Sequence, residues 1–167
     1  MRWDAEFAAF VRESADDLFR ASYVLCGNRE RAADLVQETL TRLYPKWDRV
    51  QAADIPIAYV RRCLVNRFVS DERRHSGHES LIGTLPDRAY VDEDSEVDRL
   101  MLAGPLAALE TRQRAAVTLR YLYEFSDRDA ARAMRCTQAA YRGLLRRAVA
   151  HLHGDLFVDA TGSEGRA

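Results

Sequence analysis

The stretch "FSDRDAARAMRCTQAAYRGLLRRAVAHL", residues 125–152, carries the signals of two helices joined by a short corner. Ser126 followed three residues later by Asp129 resembles a capping box, with aspartate in place of the usual glutamate. The spacing predicts a first helix from this cap, a corner at 135–136, and a second helix capped by Thr137. We therefore expect a helix-turn-helix unit near the end of the chain.

The second of these helices has a polar side that could contact DNA. Gln138, Arg142 and Arg146 follow one another at four-residue steps, so they share one side of a helix. In a major groove, glutamine can bind adenine, and arginine can bind guanine or phosphate. A solvated face on an ordinary helical hairpin would show the same spacing, so the pattern alone leaves both interpretations open.

Another stretch, "RAADLVQETLTRLY" at residues 31–44, predicts an amphipathic helix. Its apolar stripe is complete and recurs at three- and four-residue steps, through Ala32, Leu35, Val36, Thr39, Leu40, Leu43 and Tyr44. The opposite face carries Asp34, Gln37, Glu38, Thr41 and Arg42. Either this polar face is simply solvated or it binds another molecule.

The rest of the chain also favours helices. A helix is expected from about Asp4 to Cys26, and Pro56 is placed to start another. No stretch alternates polar and apolar residues long enough to predict a sheet. We predict an all-α fold of two small helical domains joined by an acidic linker, the second a helix-turn-helix domain. The predicted divisions are a first domain at 1–74, the linker at 75–96, the second domain at 97–153 and a frayed tail at 154–167.

Charge is unevenly distributed along the chain, although the net charge is only −1. Residues 80–98 hold six acids and one base, whereas residues 99–153 hold ten bases and four acids. A local basic segment, and not the whole-chain charge, therefore permits nucleic-acid binding. Lys46 is the only lysine among 25 basic residues, a bias that we attribute to a GC-rich genome.

Several classes of protein are disfavoured by what the sequence lacks. It has no apolar run of eighteen residues and no secretory signal at its start, so we expect a cytoplasmic protein without membrane insertion. Cys26, Cys63 and Cys136 lie far apart and suit small buried side chains, and the pair His75 and His78 lacks further zinc ligands. No phosphate loop or nucleophile–base pair is present. We expect no catalytic residue, no metal, no cofactor and no enzyme activity.

Three segments in register resemble the extracytoplasmic function (ECF) group of bacterial sigma factors, the small dissociable subunits that give RNA polymerase its promoter specificity. They are "ASYVLCGNRERAADLVQETLTRLYPKWDRV" at 21–50, "PIAYVRRCLVNRFVSDERR" at 56–74 and "LAALETRQRAAVTLRYLYEFSDRDAARAM" at 106–134. The resemblance implies that the chain binds core polymerase and directs promoter-specific initiation. It implies as partners the polymerase β′ coiled coil and β flap, promoter DNA and an anti-sigma factor.

The resemblance also assigns residues by position. The polar face of the 31–44 helix would dock on the β′ coiled coil through Asp34, Gln37, Glu38 and Arg42. The following basic helix would engage the minus-ten element through Arg61, Arg62, Asn66, Arg67, Arg73 and Arg74. The recognition helix would contact the minus-thirty-five element through Gln138, Tyr141, Arg142, Arg146 and Arg147. The acidic linker would run toward the RNA exit path of the polymerase, although it could also serve only as a tether between the domains.

The recognition helix departs from the family pattern. The family has "S-x-G-T-V-K-S-(R/Q)-L-x-R" where this chain has "TQAAYRGLLRR", and Gly143 inside a helix costs about 1 kcal/mol relative to alanine. Two alternatives to a sigma factor follow: a helix-turn-helix regulator that acts without polymerase, and a sigma-like adaptor that binds only protein. The polar face at 34–42 argues against the regulator, which has no need of it.

Overall fold

The computed structural model describes the backbone of residues 2–76 and 105–162, and the side chains of 4–74 and 106–154. Within these ranges every regular element is a helix, which confirms the all-α fold class. Most of the predicted linker and its proposed path lie outside the described residues. We call 2–76 the first block and 105–162 the second block.

The first block is built from four helices whose ends follow from local sequence. Gly27, at a φ of 67°, takes the left-handed conformation that ends the first helix. The Asn28 side chain caps the second helix by accepting a hydrogen bond from the Arg31 N–H at 3.0 Å. The helices are α1 (Arg2–Cys26), α2 (Arg29–Leu43), α3 (Trp47–Gln51) and α4 (Pro56–Ser76), with a 3-10 turn at Tyr44–Lys46 between α2 and α3.

The second block holds the helix-turn-helix. Its described residues begin with a short helix that includes Pro105. The helices are α5 (Pro105–Ala108), α6 (Thr111–Val117), α7 (Asp127–Ala133) and α8 (Gln138–Gly162), and a π-helical turn at Thr118–Leu122 extends α6. The tail was predicted to fray from residue 154, but α8 continues to Gly162. Residues 155–160, "DLFVDA", contain no helix-breaking proline, so the helical backbone can continue through them.

The two blocks pack against each other and share one hydrophobic core. This cluster runs from Leu18 and Leu64 in the first block to Leu119, Met134 and Tyr141 in the second. The main contacts between blocks join α1 to α6 and to the π-helical turn, and α4 to α6 and α7. We call this packing the docked arrangement.

The helices of the first block are buried along their apolar sides, and burial confirms most of the predicted stripe of α2. Leu18 and Leu25 of α1 and Val60 and Leu64 of α4 are almost completely buried. Tyr44 was predicted on the apolar stripe of α2 but remains 41% exposed, because the helix ends just before it. Its ring still packs edge-on against Phe7, with ring centroids 5.0 Å apart.

Candidate nucleic-acid and polymerase interfaces

Helix α4 carries all six residues that were predicted to contact the minus-ten element. Its apolar side is buried through Val60, Leu64, Val65 and Phe68, so the helix is held by the core of the first block. Arg73 and Arg74 are exposed near its end, while the other four are half-buried. The polar side of α4 is therefore anchored to the fold but partly covered.

A groove of about 680 Å³ lies between α4, the end of α2 and the corner that follows α7. Among the described residues that line it, eight are cationic and one, Asp71, is a carboxylate. We call it the basic groove. Its cations are Arg42, Lys46, Arg62, Arg67, Arg73 and Arg74 from the first block, and Arg132 and Arg135 from the second. Such a concentration of arginine suits phosphate groups, which the planar guanidinium can bind through two parallel hydrogen bonds.

Two residues that were assigned to different partners are joined by an ion pair. Arg67 of α4 donates to the Glu38 carboxylate of α2 from Nε at 2.8 Å and from a terminal nitrogen, and its Nε lies 3.5 Å from Asp71. The Arg67 side chain is only 16% exposed. Arg67 and Glu38 thus connect the predicted minus-ten helix to the predicted polymerase face.

Two other residues of α4 contact the second block in the docked arrangement. The Asn66 Nδ2 donates to the Ala133 carbonyl at 3.2 Å. Arg61 makes two hydrogen bonds to Asp17, at 3.0 and 2.9 Å, and its guanidinium carbon lies 4.6 Å from the centroid of the Tyr123 ring. Sequence spacing gave no sign of the contacts from Asn66 to Ala133 and from Arg61 to Tyr123, because each joins residues more than sixty positions apart.

The predicted polymerase face of α2 is exposed and borders a second groove. Asp34, Gln37 and Arg42 are exposed, as is Glu38 despite its ion pair. The second groove, of about 660 Å³, lies between α1 and α2, and Gln37 stands at its edge. We call it the apolar groove because its lining includes Phe7, Val11, Phe19, Val36, Leu40 and Tyr44. The sequence indicated this groove only through the breadth of the apolar stripe of α2, because the stripe is wider than the surface that packs against the core.

The helix-turn-helix has the predicted caps. The Ser126 Oγ accepts from the Asp129 N–H at 3.2 Å, and the Thr137 Oγ1 accepts from the Ala140 N–H at 3.1 Å. At the corner, Arg135 takes a left-handed conformation with a φ of 52°. The short loop and two caps hold α7 and α8 in a defined geometry.

Four of the five residues predicted at the minus-thirty-five element are exposed on α8. They are Gln138, Arg142, Arg146 and Arg147. The Arg142 Nε donates to Asp127 of α7 at 2.7 Å, in an ion pair whose arginine remains 59% exposed. An exposed pair of this kind contributes little to stability, so breaking it would cost little free energy.

Tyr141 was predicted to flank the DNA contacts, and this prediction is wrong for the docked arrangement. Its side chain is fully buried, and its hydroxyl donates to the Ala116 carbonyl at 3.3 Å. Burial raises the pKa of Tyr141 to about 12. Positions 141, 145 and 148 step along the inner side of α8, a period that could have placed this residue in the core.

The cysteines agree with the prediction of small, largely buried side chains. All three are half-buried thiols. Burial raises the pKa of Cys26 to about 11 and also raises the pKa of Cys63, which disfavours the reactive thiolate.

Across the described ranges no three potential ligands gather to hold a metal ion. The helices described also include none that is long and apolar enough to cross a bilayer.

Two family profiles match the chain in the order of the two blocks. Residues 10–77 match Sigma-70 region 2, and residues 101–152 match Sigma-70, region 4. Among solved structures, the sigma factor RpoE of Bartonella quintana, in complex with the anti-sigma factor NepR, has a similar fold. Its TM-score is 0.65 at 24% identity, over 90% of this chain and 98% of that one.

Curated relatives extend the similarity over most of the chain. The RNA polymerase sigma-E factor of Streptomyces avermitilis is 33% identical over 153 residues, which cover 90% of this chain and 85% of the relative. The ECF RNA polymerase sigma factor SigM of Bacillus subtilis is 26% identical over 138 residues, covering 80% and 84%. With both sigma regions in order and a similarity that spans both blocks, this chain belongs to the extracytoplasmic function group of bacterial RNA polymerase sigma factors.

Proposed function

We propose that this sigma factor binds core polymerase through the exposed face of α2 and promoter DNA through α4 and α8. The observation that carries the proposal is the placement of the basic groove directly beside the α2 face. The first block, which supplies six of the eight cations, thereby offers a mixed polar and acidic surface to protein and a cationic surface to nucleic acid.

The proposed polymerase contact is the β′ coiled coil. Asp34 and Gln37 supply exposed polar groups, and the adjacent apolar groove supplies surface for buried apolar contacts. This combination of an apolar centre with a polar rim is typical of protein–protein interfaces. Tyr121 and Leu122, 59% and 39% exposed in the second block, offer an apolar contact for the β flap.

The proposed minus-ten contact is the polar side of α4. Arginines along the basic groove would bind phosphates and give affinity that falls with salt. Asn66 would supply a neutral hydrogen-bonding group for an unstacked base, as base-specific contacts require. Because Asn66 is bonded to Ala133 in the docked arrangement, the two blocks must separate before it can contact DNA.

The proposed minus-thirty-five contact is the exposed side of α8, with Gln138, Arg142, Arg146 and Arg147. The capped corner presents this helix as a major-groove binder requires. In this proposal the chain acts in the cytoplasm and has no catalytic activity. An anti-sigma factor is a further proposed partner, supported by the structural neighbour crystallised with one.

Core binding provides the direct test of the polymerase face. We expect that Asp34→Arg with Gln37→Arg weakens binding to purified core at least tenfold in a pull-down titration, because like charges at an interface cost several kcal/mol. The matched control is Asp48→Arg with Gln51→Arg on α3, which has the same residue types, spacing and charge change. Equal core binding by the two double variants would rule out the α2 face.

Run-off transcription with purified core on genomic promoters tests the function as a whole. A promoter-specific transcript that appears only with both core and this chain is expected. Specific promoter binding by the chain alone, without any stimulation of core, would instead favour a helix-turn-helix regulator. Tight core binding without promoter recognition would favour a protein-binding adaptor.

A further inference from the structure

The basic groove is a composite of the two blocks. Six of its cations come from α2, α4 and the turn after α2, whereas Arg132 and Arg135 come from the end of α7 and its corner. The two sets approach each other only in the docked arrangement. A complete groove therefore exists only when the blocks are packed together.

The second-block side of the groove is held in a fixed geometry. The Arg135 N–H donates to the Arg132 carbonyl at 3.2 Å, so both side chains leave the backbone within one tight corner. The next residue, Cys136, donates its N–H to the Ala131 carbonyl at 3.0 Å. The Asn66–Ala133 hydrogen bond ties this corner to α4. The corner is thus placed against α4 by specific contacts.

Charge within the groove is poorly balanced. Within the described lining, Asp71 is the one carboxylate against eight cations, and even with Glu38, which pairs with Arg67 beside the groove, the cations remain in excess. Docking therefore brings like charges together, and a bound anion would relieve their repulsion. The resulting interaction favours both anion binding and the docked arrangement.

The size of the groove and its side chains define the class of anion. A volume of about 680 Å³ falls in the range of small-molecule sites. Guanidinium groups from three directions suit several closely spaced phosphates. We propose that the basic groove binds a compact polyphosphate, and that the bound anion holds the two blocks docked. Since the second block closes one side of the groove, a small anion fits better than a long nucleic-acid strand.

Anion binding in the basic groove should oppose promoter binding, an expectation that rests on the proposed function. Asn66 and Arg61 contact the second block when it is docked, so an anion that stabilises docking would oppose their contact with DNA. Binding of the anion itself does not depend on that function. By linkage, the anion and the promoter would each weaken the binding of the other.

Calorimetric titration with inorganic tripolyphosphate at fixed ionic strength tests the site. We expect Arg132→Ala and Arg135→Ala each to weaken binding about fivefold or more, as expected for loss of a charge-assisted contact. The matched control is Arg128→Ala, an exposed arginine one turn earlier on α7 that does not line the groove, with an expected change below about twofold. Similar losses from all three variants, or none, would overturn the site.

Two further ligands define its specificity. Orthophosphate should bind with a far lower affinity than tripolyphosphate. A nucleoside triphosphate should bind with the same affinity as tripolyphosphate if only the phosphates are recognised. Its affinity should be higher if Tyr59 stacks on the base. Orthophosphate binding as tightly as tripolyphosphate would show general charge attraction only. A single-stranded oligonucleotide that binds more tightly than either polyphosphate would overturn the small-ligand class.

Small-angle X-ray scattering tests the link to docking. Asn66→Ala lacks the bond to Ala133 but keeps the shared core, so its radius of gyration should increase at a lower urea concentration than that of the native chain, and tripolyphosphate should shift the increase back to higher urea. A variant that binds the anion without this shift would disprove the linkage. The double variant of Asp34 and Gln37 tests core binding at a different surface. A result that rules out the proposed polymerase face would therefore leave the anion site standing, and a result that rules out the anion site would leave the polymerase face standing.

Discussion

At the scale of single residues, Tyr141 shows how a side chain chosen for DNA contact can belong to the core. We expect Tyr141→Phe to lower the free energy of unfolding by about 1 kcal/mol, because it removes the hydroxyl that donates to Ala116. Promoter affinity should be unchanged. Chemical denaturation measures the stability of the variant, and a binding titration measures its promoter affinity. A loss of promoter affinity without a loss of stability would show that Tyr141 contacts DNA.

The same residue makes stability depend on alkaline pH. Its folded-state pKa of about 12 lies above the value near 10 that is usual for an unfolded chain. Its contribution is therefore fully present below about pH 10 and is lost as the pH rises toward 12. Tyr141→Phe should reduce this loss when unfolding is measured across the same pH range, and an identical pH dependence in both proteins would contradict the assignment.

Gly143 gives a second residue-scale prediction. A Cβ built there would meet the end of the flexible Arg147 side chain at 3.4 Å, so alanine fits without displacing backbone. Gly143→Ala should therefore raise the free energy of unfolding by about 0.5–1 kcal/mol through better helix propensity. Promoter binding measured in parallel shows whether the glycine serves a close approach to DNA: impaired binding despite greater stability would indicate that it does.

At the scale of elements, α4 should act in strand opening. Asn66→Ala should lower the permanganate reactivity of unpaired promoter thymines while core binding stays unchanged, because the amide would contact DNA and not protein. The matched control is Ser70→Ala one turn later, whose hydroxyl already donates to the Asn66 carbonyl at 2.8 Å. If both variants open the promoter as the native chain does, the minus-ten contact lies elsewhere.

The sequence predicted most elements because their signals are local. Ser126 and Thr137 cap helices through bonds to the next turn, and such bonds depend only on nearby residues. Helix α3 was missed because five residues are too few to show a period. The polar face of α2 was identified, but the apolar groove beside it depends on how α1 packs there.

At the scale of the whole molecule, the docked arrangement could not be predicted from the sequence. The bond from Asn66 to Ala133 and the stacking of Arg61 on Tyr123 depend on the relative placement of distant segments. The same contacts changed the interpretation of α4, since part of its proposed DNA surface is occupied. Two separate domains on a tether were expected, whereas the described residues form one continuous core.

A continuous core predicts cooperative unfolding of the free chain. Both tryptophans, Trp3 and Trp47, lie in the first block, so fluorescence follows that block while far-ultraviolet circular dichroism follows all helices. We expect the two denaturation curves to coincide, as they do for a two-state transition. A fluorescence transition clearly separated from the circular dichroism transition would show that the blocks unfold independently.

Lys46, the only lysine of the chain, lies exposed on the wall of the basic groove. An amine-selective acylating reagent therefore has a single side-chain target, and that target adjoins the groove. Attachment of a fluorophore there needs no engineered residue and leaves the 24 arginines unmodified. The rate of acylation itself becomes a footprint, since an occupant of the groove would shield this amine. Because nearly all basic residues of the sequence are arginines, Lys46 can be labelled selectively at the groove between the two blocks.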